Sequence, residues 1–334
     1  MAKIIGTSGA WKAICLELNR ANFKPEKPSE IHNFLEATQK EYTLAKSSAI
    51  QDVQNKIDGR KKEIEQHEKS FESEIQEYRD KISADIELIQ IAIQLLQSKV
   101  SLIRKVINYF KIRKHKKKIQ SLKTDYENYP QLLRQKNDLI KRDLEKTQKN
   151  FDLIVESQCQ VISSKVKLLE KALKSPDLAG GIAELELIDS LKTLPDNFYI
   201  INDAKLEVDR AIHFDGAWLR SAQIDHFVVT PSGIFVIEVK NWSEKFSRGG
   251  DYFDPYQQVK RSSYLCYTLI GESYNLKTRS IIAYKGSIPK KPSDSYTKVL
   301  PISEVKGYIS WFKDSNVSDQ IIERVAMEFA DGHY

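Results

Sequence analysis

The feature that most constrains this 334-residue chain is a long stretch without glycine, from residue 60 to residue 175. This stretch is rich in Lys, Glu, Gln, Ile and Leu, and its only proline is Pro130. Because glycine and proline are the residues that most often interrupt helices, we predict nearly continuous helix here. We accordingly divide the chain into an N-terminal segment (1–30), a helical coiled-coil region (31–175) and a C-terminal domain (176–334).

Apolar residues in the helical region recur at steps of three and four, which is the spacing of a coiled-coil seam. The seam consists of Phe71, Ile75, Tyr78, Ile82, Ile86, Ile89, Ile93, Leu96, Val100, Ile103, Ile107 and Phe110. Pro130 lies where a turn or kink is expected, and a second helical run continues to Lys174. We expect a homo-oligomer formed through this region, with an antiparallel hairpin within one chain as an equal alternative.

One part of the helical region is strongly basic. Residues 88 to 124 contain ten Lys or Arg and no Asp or Glu; the whole chain carries +6, so the remainder sums to −4. Its densest part contains four candidate nucleic-acid contacts, Lys114, Lys116, Lys117 and Lys118. A concentrated basic patch attracts polyanions, so DNA, RNA and an anionic membrane surface are candidate partners. The alternative interpretation is a solvated helical face without a ligand.

The cysteines and the apolar segments bear on the compartment. Cys15, Cys159 and Cys266 are far apart and lack the C-x-x-C spacing of zinc sites and disulfide frameworks. The first residues lack the apolar run and cleavage site of a secretory signal. The most apolar stretch, residues 86 to 110, is interrupted by polar and charged side chains, which argues against a membrane span. We expect a cytoplasmic protein.

The C-terminal domain has the sequence pattern of an α/β fold. A short amphipathic helix begins near Gly180 and is stopped by Pro195, and strand-like segments follow at residues 198–201, 222–229 and 234–240. The last two segments are joined by Thr230-Pro-Ser-Gly233, with proline and glycine at favoured turn positions. These segments are almost wholly apolar, as expected for central strands that are covered on both faces.

The turn at Pro231 and Ser232 sets the register of this hairpin. Residues whose numbers sum to about 463 lie opposite each other, so Asp225 faces Glu238 with Cβ atoms roughly 5 Å apart. Strand alternation places Lys240 on the same face as Glu238. The pattern D-x(12)-E-x-K therefore predicts two acids and an amine at one point of the sheet.

Two opposed carboxylates in a buried hairpin repel each other, and a divalent cation resolves that conflict. Hard oxygen ligands suit Mg²⁺ or Mn²⁺, and the predicted metal ligands are Asp225, Glu238 and Val239, the last through its carbonyl oxygen. Lys240 is then placed to orient or deprotonate a water, or to stabilise charge on a phosphate. The alternative interpretation is a buried Glu238–Lys240 ion pair with Asp225 at the surface edge.

Four motifs in this order resemble those of the nuclease-related domain, NERD, a family similar to the PD-(D/E)XK nucleases. They are Gly181-Ile-Ala-Glu184, Gln223-Ile-Asp-His226, Gly233-Ile-Phe-Val-Ile-Glu-Val-Lys-Asn-Trp242 and Asp254-Pro-Tyr-Gln-Gln258. The resemblance covers about residues 180 to 284. It implies a restriction-endonuclease-like mixed sheet flanked by helices, preceded here by the long coiled-coil region.

The resemblance also implies roles for single residues. Asp225 and Glu238 would be metal ligands, Lys240 the catalytic lysine, Glu184 a helix-borne acid reaching the metal or its water, and Gln258 a helix-borne polar residue beside the site. Each of the last two has a plainer interpretation: a carboxylate favoured by the helix dipole for Glu184 and a surface amide for Gln258. His226 points away from Asp225, which favours a hydrogen-bonded core histidine.

Four further basic residues flank the site in sequence and are candidate phosphate contacts. They are Lys245, Arg248, Lys260 and Arg261. The leading hypothesis is a metal-dependent nuclease that cleaves DNA with a metal-activated water. The coiled coil would oligomerise or regulate it, and defence against foreign DNA is the biological role that we consider. The alternatives are a catalytically inactive nucleic-acid-binding or structural coiled-coil protein, or a membrane-surface sensor.

Overall fold

The computed structural model describes residues 1–98, 102–242, 254–287, 296–313 and 317–331. The chain forms two compact units. We call residues 1–38 together with 164–334 the sheet unit, and residues 39–163 the hairpin unit. Within the described residues, no helix has the length and apolar character needed to cross a membrane.

Nearly all of the described residues of the hairpin unit are helical. Helix α2 (Glu30–Gln97) enters it from the sheet unit, and α3 (Leu102–Lys149) is followed by α4 (Phe151–Lys174), which leaves it again. The two long helices run antiparallel within one chain. Lys141 forms an ion pair with Glu68 at 2.7 Å, and the rings of Tyr78 and Tyr129 stack with centroids 3.8 Å apart. The intramolecular hairpin is therefore present.

We expected a turn or a kink at Pro130. The prediction of a turn was wrong, because α3 continues through this residue. The missing N–H of proline removes one helical hydrogen bond. The Tyr78–Tyr129 stack holds the helix against its neighbour at this point, which offsets that loss. The antiparallel partners are instead α2, which ends at Gln97, and α3, which begins at Leu102. This changes the seam: Ile75 and Ile82 are buried as expected, whereas Ile107 and Phe110 are exposed.

The sheet unit contains one six-stranded mixed sheet in the order β1-β2-β3-β4-β5-β6. Its strands are β1 (Lys3–Ile5), β2 (Tyr199–Phe214), β3 (Ala217–Thr230), β4 (Gly233–Trp242), β5 (Thr278–Gly286) and β6 (Thr297–Pro301). The β2–β3 and β3–β4 pairs are antiparallel, and the β1–β2, β4–β5 and β5–β6 pairs are parallel. The predicted α/β class with a mixed sheet flanked by helices is confirmed.

Helices cover both faces of this sheet. The remaining helices are α1 (Gly9–Asn19), α5 (Pro176–Leu191), α6 (Pro255–Cys266), α7 (Glu272–Tyr274), α8 (Ile302–Trp311) and α9 (Asp319–Asp331), with a π-helical turn at Tyr267–Gly271. Alternate residues of the central strands pack against α5 and α8 on one face and against α6 and α9 on the other. Strands covered in this way are apolar along their whole length, as the sequence of β4 is.

The N-terminal residues belong to the sheet unit, so the divisions at residues 30/31 and 175/176 differ from the observed units. Strand β1 extends the sheet by pairing in parallel with β2, from Lys3–Tyr199 to Ile5–Ile201. Helix α1 packs against α5, where Trp11 approaches Gly181 closely. The first contact joins residues 196 positions apart and the second joins residues 170 positions apart, which the composition of either segment does not reveal.

Candidate active site

The β3–β4 hairpin brings Asp225, Glu238 and Lys240 to one place. The backbone pairs run from Thr230–Gly233 to His226–Ile237, so the register predicted from the turn is confirmed. At the next position a side chain replaces the backbone as hydrogen-bond acceptor: Asp225 Oδ2 accepts the Val239 N–H at 2.7 Å. Asp225 is partly buried and lines the same cavity as Glu238 and Lys240. It does not lie at a surface edge.

Glu238 is the most buried acid of the site, at 3% exposure. Its Oε1 accepts a hydrogen bond from Lys240 Nζ at 2.5 Å, and the same Nζ lies 3.5 Å from Gln258 Oε1. Burial, followed by the negative charge of Asp225, raises the pKa of Glu238 to about 8 even with Lys240 alongside. Burial also raises the pKa of Asp225, against the opposing effects of the Val239 N–H and of Lys240. One ammonium group thus compensates these two carboxylates only partly.

Glu184 reaches the site from α5. It is buried and lies about two turns beyond the helix start at Pro176, where the favourable effect of the helix dipole on a carboxylate has largely faded. The Ser8 hydroxyl and the Ala10 N–H, both at the start of α1, donate hydrogen bonds to it. Burial and then the charge of Asp225 nevertheless raise the pKa of Glu184 to about 7.

Several residues at the site were missed by the sequence analysis. Asp203 has a left-handed backbone (φ 54°) and lines the cavity, and its Oδ1 accepts a hydrogen bond from Gln223 Nε2 at 2.6 Å. Asn241, at the end of β4, donates to the Ala179 carbonyl at 2.8 Å and ties the strand to α5. Gln223 and Asn241 both lie in quoted motifs, whereas Ser8, Ala10 and Asp203 are brought in by long-range packing.

These side chains surround a cavity of about 650 Å³. Its walls come from α1, α5, α6 and the strands β2, β3 and β4. They include Gly9, Ala10, Glu184, Asp203, Gln223, Asp225, Glu238, Lys240, Trp242 and Gln258. All of these residues lie within the sheet unit.

Residues 179–285 match the family model of the nuclease-related domain. The C-terminal half contains a NERD domain. The match confirms the resemblance of the motifs, and its range includes Glu184, Asp225, Glu238, Lys240 and Gln258. No curated protein and no solved structure matches the chain significantly. A domain of this family indicates a nuclease-like function and a nucleic-acid substrate.

His226 of the NERD domain is a core residue, as its strand position indicated. It is fully buried, and its Nδ1 lies 2.7 Å from Asn202 Oδ1, an acceptor that fixes the proton on Nδ1. Burial lowers the pKa of His226 to about 3, so the ring is neutral. Asn202 in turn donates to the Ile5 carbonyl of β1 at 3.1 Å. The histidine is therefore linked through Asn202 to β1, on the side of the sheet away from Asp225.

The predicted basic contacts lie elsewhere or outside the described residues. Lys260 lines a second cavity together with Phe214 and Ser280. Neither Lys260 nor Arg261 lines the cavity that contains Glu238. Lys245 and Arg248 lie outside the described residues. Lys114, Lys116, Lys117 and Lys118 are exposed residues of α3 in the hairpin unit.

Proposed function

We propose that this protein is a metal-dependent nuclease that hydrolyses phosphodiester bonds, with DNA as its substrate. The observation that carries the proposal is the convergence of Asp225, Glu238 and Lys240 in the cavity of a NERD domain. Glu184 and Gln258 approach the same point from the helices on either side of the sheet. Acids whose pKa values are raised by burial and by a neighbouring charge are common at catalytic sites.

The donor set fits a hard divalent ion. Asp225 and Glu238 present carboxylate oxygens side by side, and burial makes their charged forms costly without a further cation. Among the described residues, no three or more His, Cys, Asp and Glu side chains are grouped closely enough to hold a metal ion by themselves. Mg²⁺ sites of phosphoryl-transfer enzymes use one or two carboxylates together with water and substrate oxygens. We propose that Asp225, Glu238 and the Val239 carbonyl hold Mg²⁺ or Mn²⁺, which would activate a water for attack on the phosphorus.

The residues of the chain have separate roles in this proposal. Lys240 supplies positive charge to the phosphate as negative charge develops on its oxygens. Gln258, 3.5 Å from Lys240 Nζ, positions that amine. Glu184, whose pKa is near 7, can accept or donate a proton close to neutral pH. The attacking group is water, so no covalent enzyme intermediate forms.

Cleavage of DNA tests this proposal directly. Purified full chain should nick plasmid and degrade linear DNA when Mg²⁺ or Mn²⁺ is added, and EDTA should stop it. Asp225→Ala and Lys240→Ala should each lower the rate at least a hundredfold. Asp209→Ala and Lys205→Ala, exposed on β2, are the matched controls and should cleave like the native chain. Equal activity in the site variants would reject the nuclease assignment, and cleavage of RNA alone would reject DNA as the substrate.

We also propose that the hairpin unit associates with other copies and regulates the NERD domain. Large apolar side chains remain exposed along it, among them Leu132, Leu139, Leu153 and Val161. A coiled coil joined to a nuclease would suit defence against foreign DNA in the cytoplasm. Sedimentation equilibrium should give a mass above the 38.5 kDa of one chain. A single-chain mass at micromolar concentration would contradict the oligomer.

A further inference from the structure

The described parts of α2 and α3 carry a concentration of exposed apolar side chains on either side of the helix reversal. We call these six residues the tip surface: Leu88, Ile91 and Leu95 of α2, and Val106, Ile107 and Phe110 of α3. Each is between 46 and 70% exposed. The spacings Leu88–Ile91–Leu95 and Val106–Phe110 place each set along one helix face. The tip surface is therefore a contiguous apolar patch on each helix.

These side chains form a group that is separated along both helices from the other exposed apolar residues of the hairpin unit. Along the described helices, no large apolar side chain is exposed between Ile50 and Leu88, and none between Phe110 and Leu132. In the same part of α2, Ile82 and Ile93 are buried. Helix α2 therefore has apolar residues on an exposed face in addition to those that it packs inside the hairpin. Exposed apolar patches of this kind mark interaction sites.

Positive charge accompanies the tip surface. All eight Lys and Arg residues between residues 105 and 123 are exposed, and there is no Asp or Glu from residue 88 to residue 124. Phe110 is followed directly by Lys111, and the run from Arg113 to Lys118 begins less than one helical turn further on. The basic residues and the three apolar residues of the tip surface on α3 thus belong to one continuous segment of that helix.

We propose that the tip surface docks on an anionic lipid surface. The apolar side chains would enter the boundary between headgroups and acyl chains, and the lysines would bind the lipid phosphates. A lipid surface satisfies both halves of the pattern. DNA offers phosphates to the lysines but nothing to a patch of Leu, Ile, Val and Phe, and a second copy of the tip would oppose like charges.

Vesicle flotation in EDTA tests this proposal without reference to DNA cleavage. The full chain should float with vesicles of phosphatidylcholine mixed with phosphatidylglycerol and remain at the bottom with phosphatidylcholine alone. Leu88→Ser combined with Leu95→Ser should lower the partition coefficient roughly tenfold or more. Lys117→Glu combined with Lys118→Glu should lower it by at least about the same factor.

Matched controls come from the same hairpin. Leu44→Ser with Ile50→Ser, and Lys61→Glu with Lys62→Glu, change exposed residues of the same kinds away from the tip and should float like the native chain. Absence of binding to the anionic vesicles would overturn the proposal. Unchanged flotation of the Leu88/Leu95 variant would also overturn the proposal, provided that circular dichroism shows native helix content. Charge alone would then be sufficient for binding, as it is for nucleic acids. If the Leu88/Leu95 variant loses helix content, the Lys117/Lys118 variant provides the test. Flotation of the Lys117/Lys118 variant equal to that of the native chain would then overturn the proposal. A native dimer that the leucine changes dissociate would also overturn it, in favour of a second copy.

Discussion

The Glu184 carboxyl shows how single residues at the site have been placed at a cost in stability. Its pKa is about 7 in the folded chain against an ordinary 4.5. Between these values the unfolded chain has lost the proton and the folded chain has kept it. The contribution to stability is therefore complete below about pH 4.5, falls as the pH rises, and is lost above about pH 7. Carboxyl groups whose pKa is raised in this way are common at functional sites.

The variant Glu184→Gln removes this titration. From pH 5 to pH 8 in EDTA, the free energy of unfolding of the native chain should fall relative to that of the variant by a few kcal/mol, roughly 3 at most. All four tryptophans lie in the sheet unit, so urea unfolding followed by tryptophan fluorescence reports on that unit. Glu186→Gln, an exposed change on the same helix, should show no such trend. A pH-independent difference for Glu184→Gln would contradict the raised pKa.

Ser8 has two roles that one substitution can test. Its hydroxyl oxygen accepts the Trp11 N–H at 3.0 Å as the N-cap of α1, and its hydroxyl donates to Glu184. Ser8→Ala should cost about 1 kcal/mol of unfolding free energy. It should also shift the Glu184-dependent limb of the pH–rate profile for DNA cleavage upward, because a donor to the charged form is lost. Ser8→Thr should restore both, whereas an unshifted profile in Ser8→Ala would leave Ser8 with the capping role alone.

At the level of elements, the contact between α1 and α5 holds Ser8 and Ala10 against Glu184. A Cβ added to Gly181 would lie 2.8 Å from the Trp11 backbone nitrogen, whereas one added to the adjacent Gly180 would meet only Ala10 Cβ at 3.9 Å. Only Gly181 is thus required for the close approach of the two helices.

The two glycines provide a matched pair of variants. Gly181→Ala should force α1 away from α5, lower the free energy of unfolding by about 1–3 kcal/mol and reduce cleavage. Gly180→Ala should be neutral or stabilising by up to about 1 kcal/mol, because alanine favours helix. Urea unfolding and plasmid cleavage measure both effects. Equal stability of the two variants would show that the helices can separate without loss.

The elements that the sequence predicted well were those specified by local patterns. The turn Thr230–Gly233 sets the pairing of the two apolar strands that flank it. The opposition of Asp225 and Glu238 therefore followed from the local sequence. The β2–β3 hairpin was missed although Asp215-Gly216, both with positive φ, is a typical two-residue hairpin turn. Strand β1 could not be found, because three residues carry no periodic pattern and pair with a strand far along the chain.

At the scale of the whole molecule, composition and contact divide the chain differently. The change in composition near residue 175 coincides with the end of α4 at Lys174, whereas the boundary between the two units lies inside α4, between residues 163 and 164. The sheet unit is assembled from both ends of the chain, with the hairpin unit inserted between them. As a result, the NERD-matched residues 179–285 do not contain the whole site, because Ser8 and Ala10 come from the N-terminus.

The central claim is that Asp225 and Glu238 are held together to bind a hard divalent ion. Isothermal titration calorimetry with Mn²⁺ on the metal-free full chain measures this binding directly. The native chain and the exposed control Asp209→Asn should each bind Mn²⁺ at this site, and Asp225→Asn should bind at least about tenfold more weakly, as expected when a carboxylate ligand is replaced by an amide. No Mn²⁺ binding by the native chain, or equal binding by Asp225→Asn, would contradict the account.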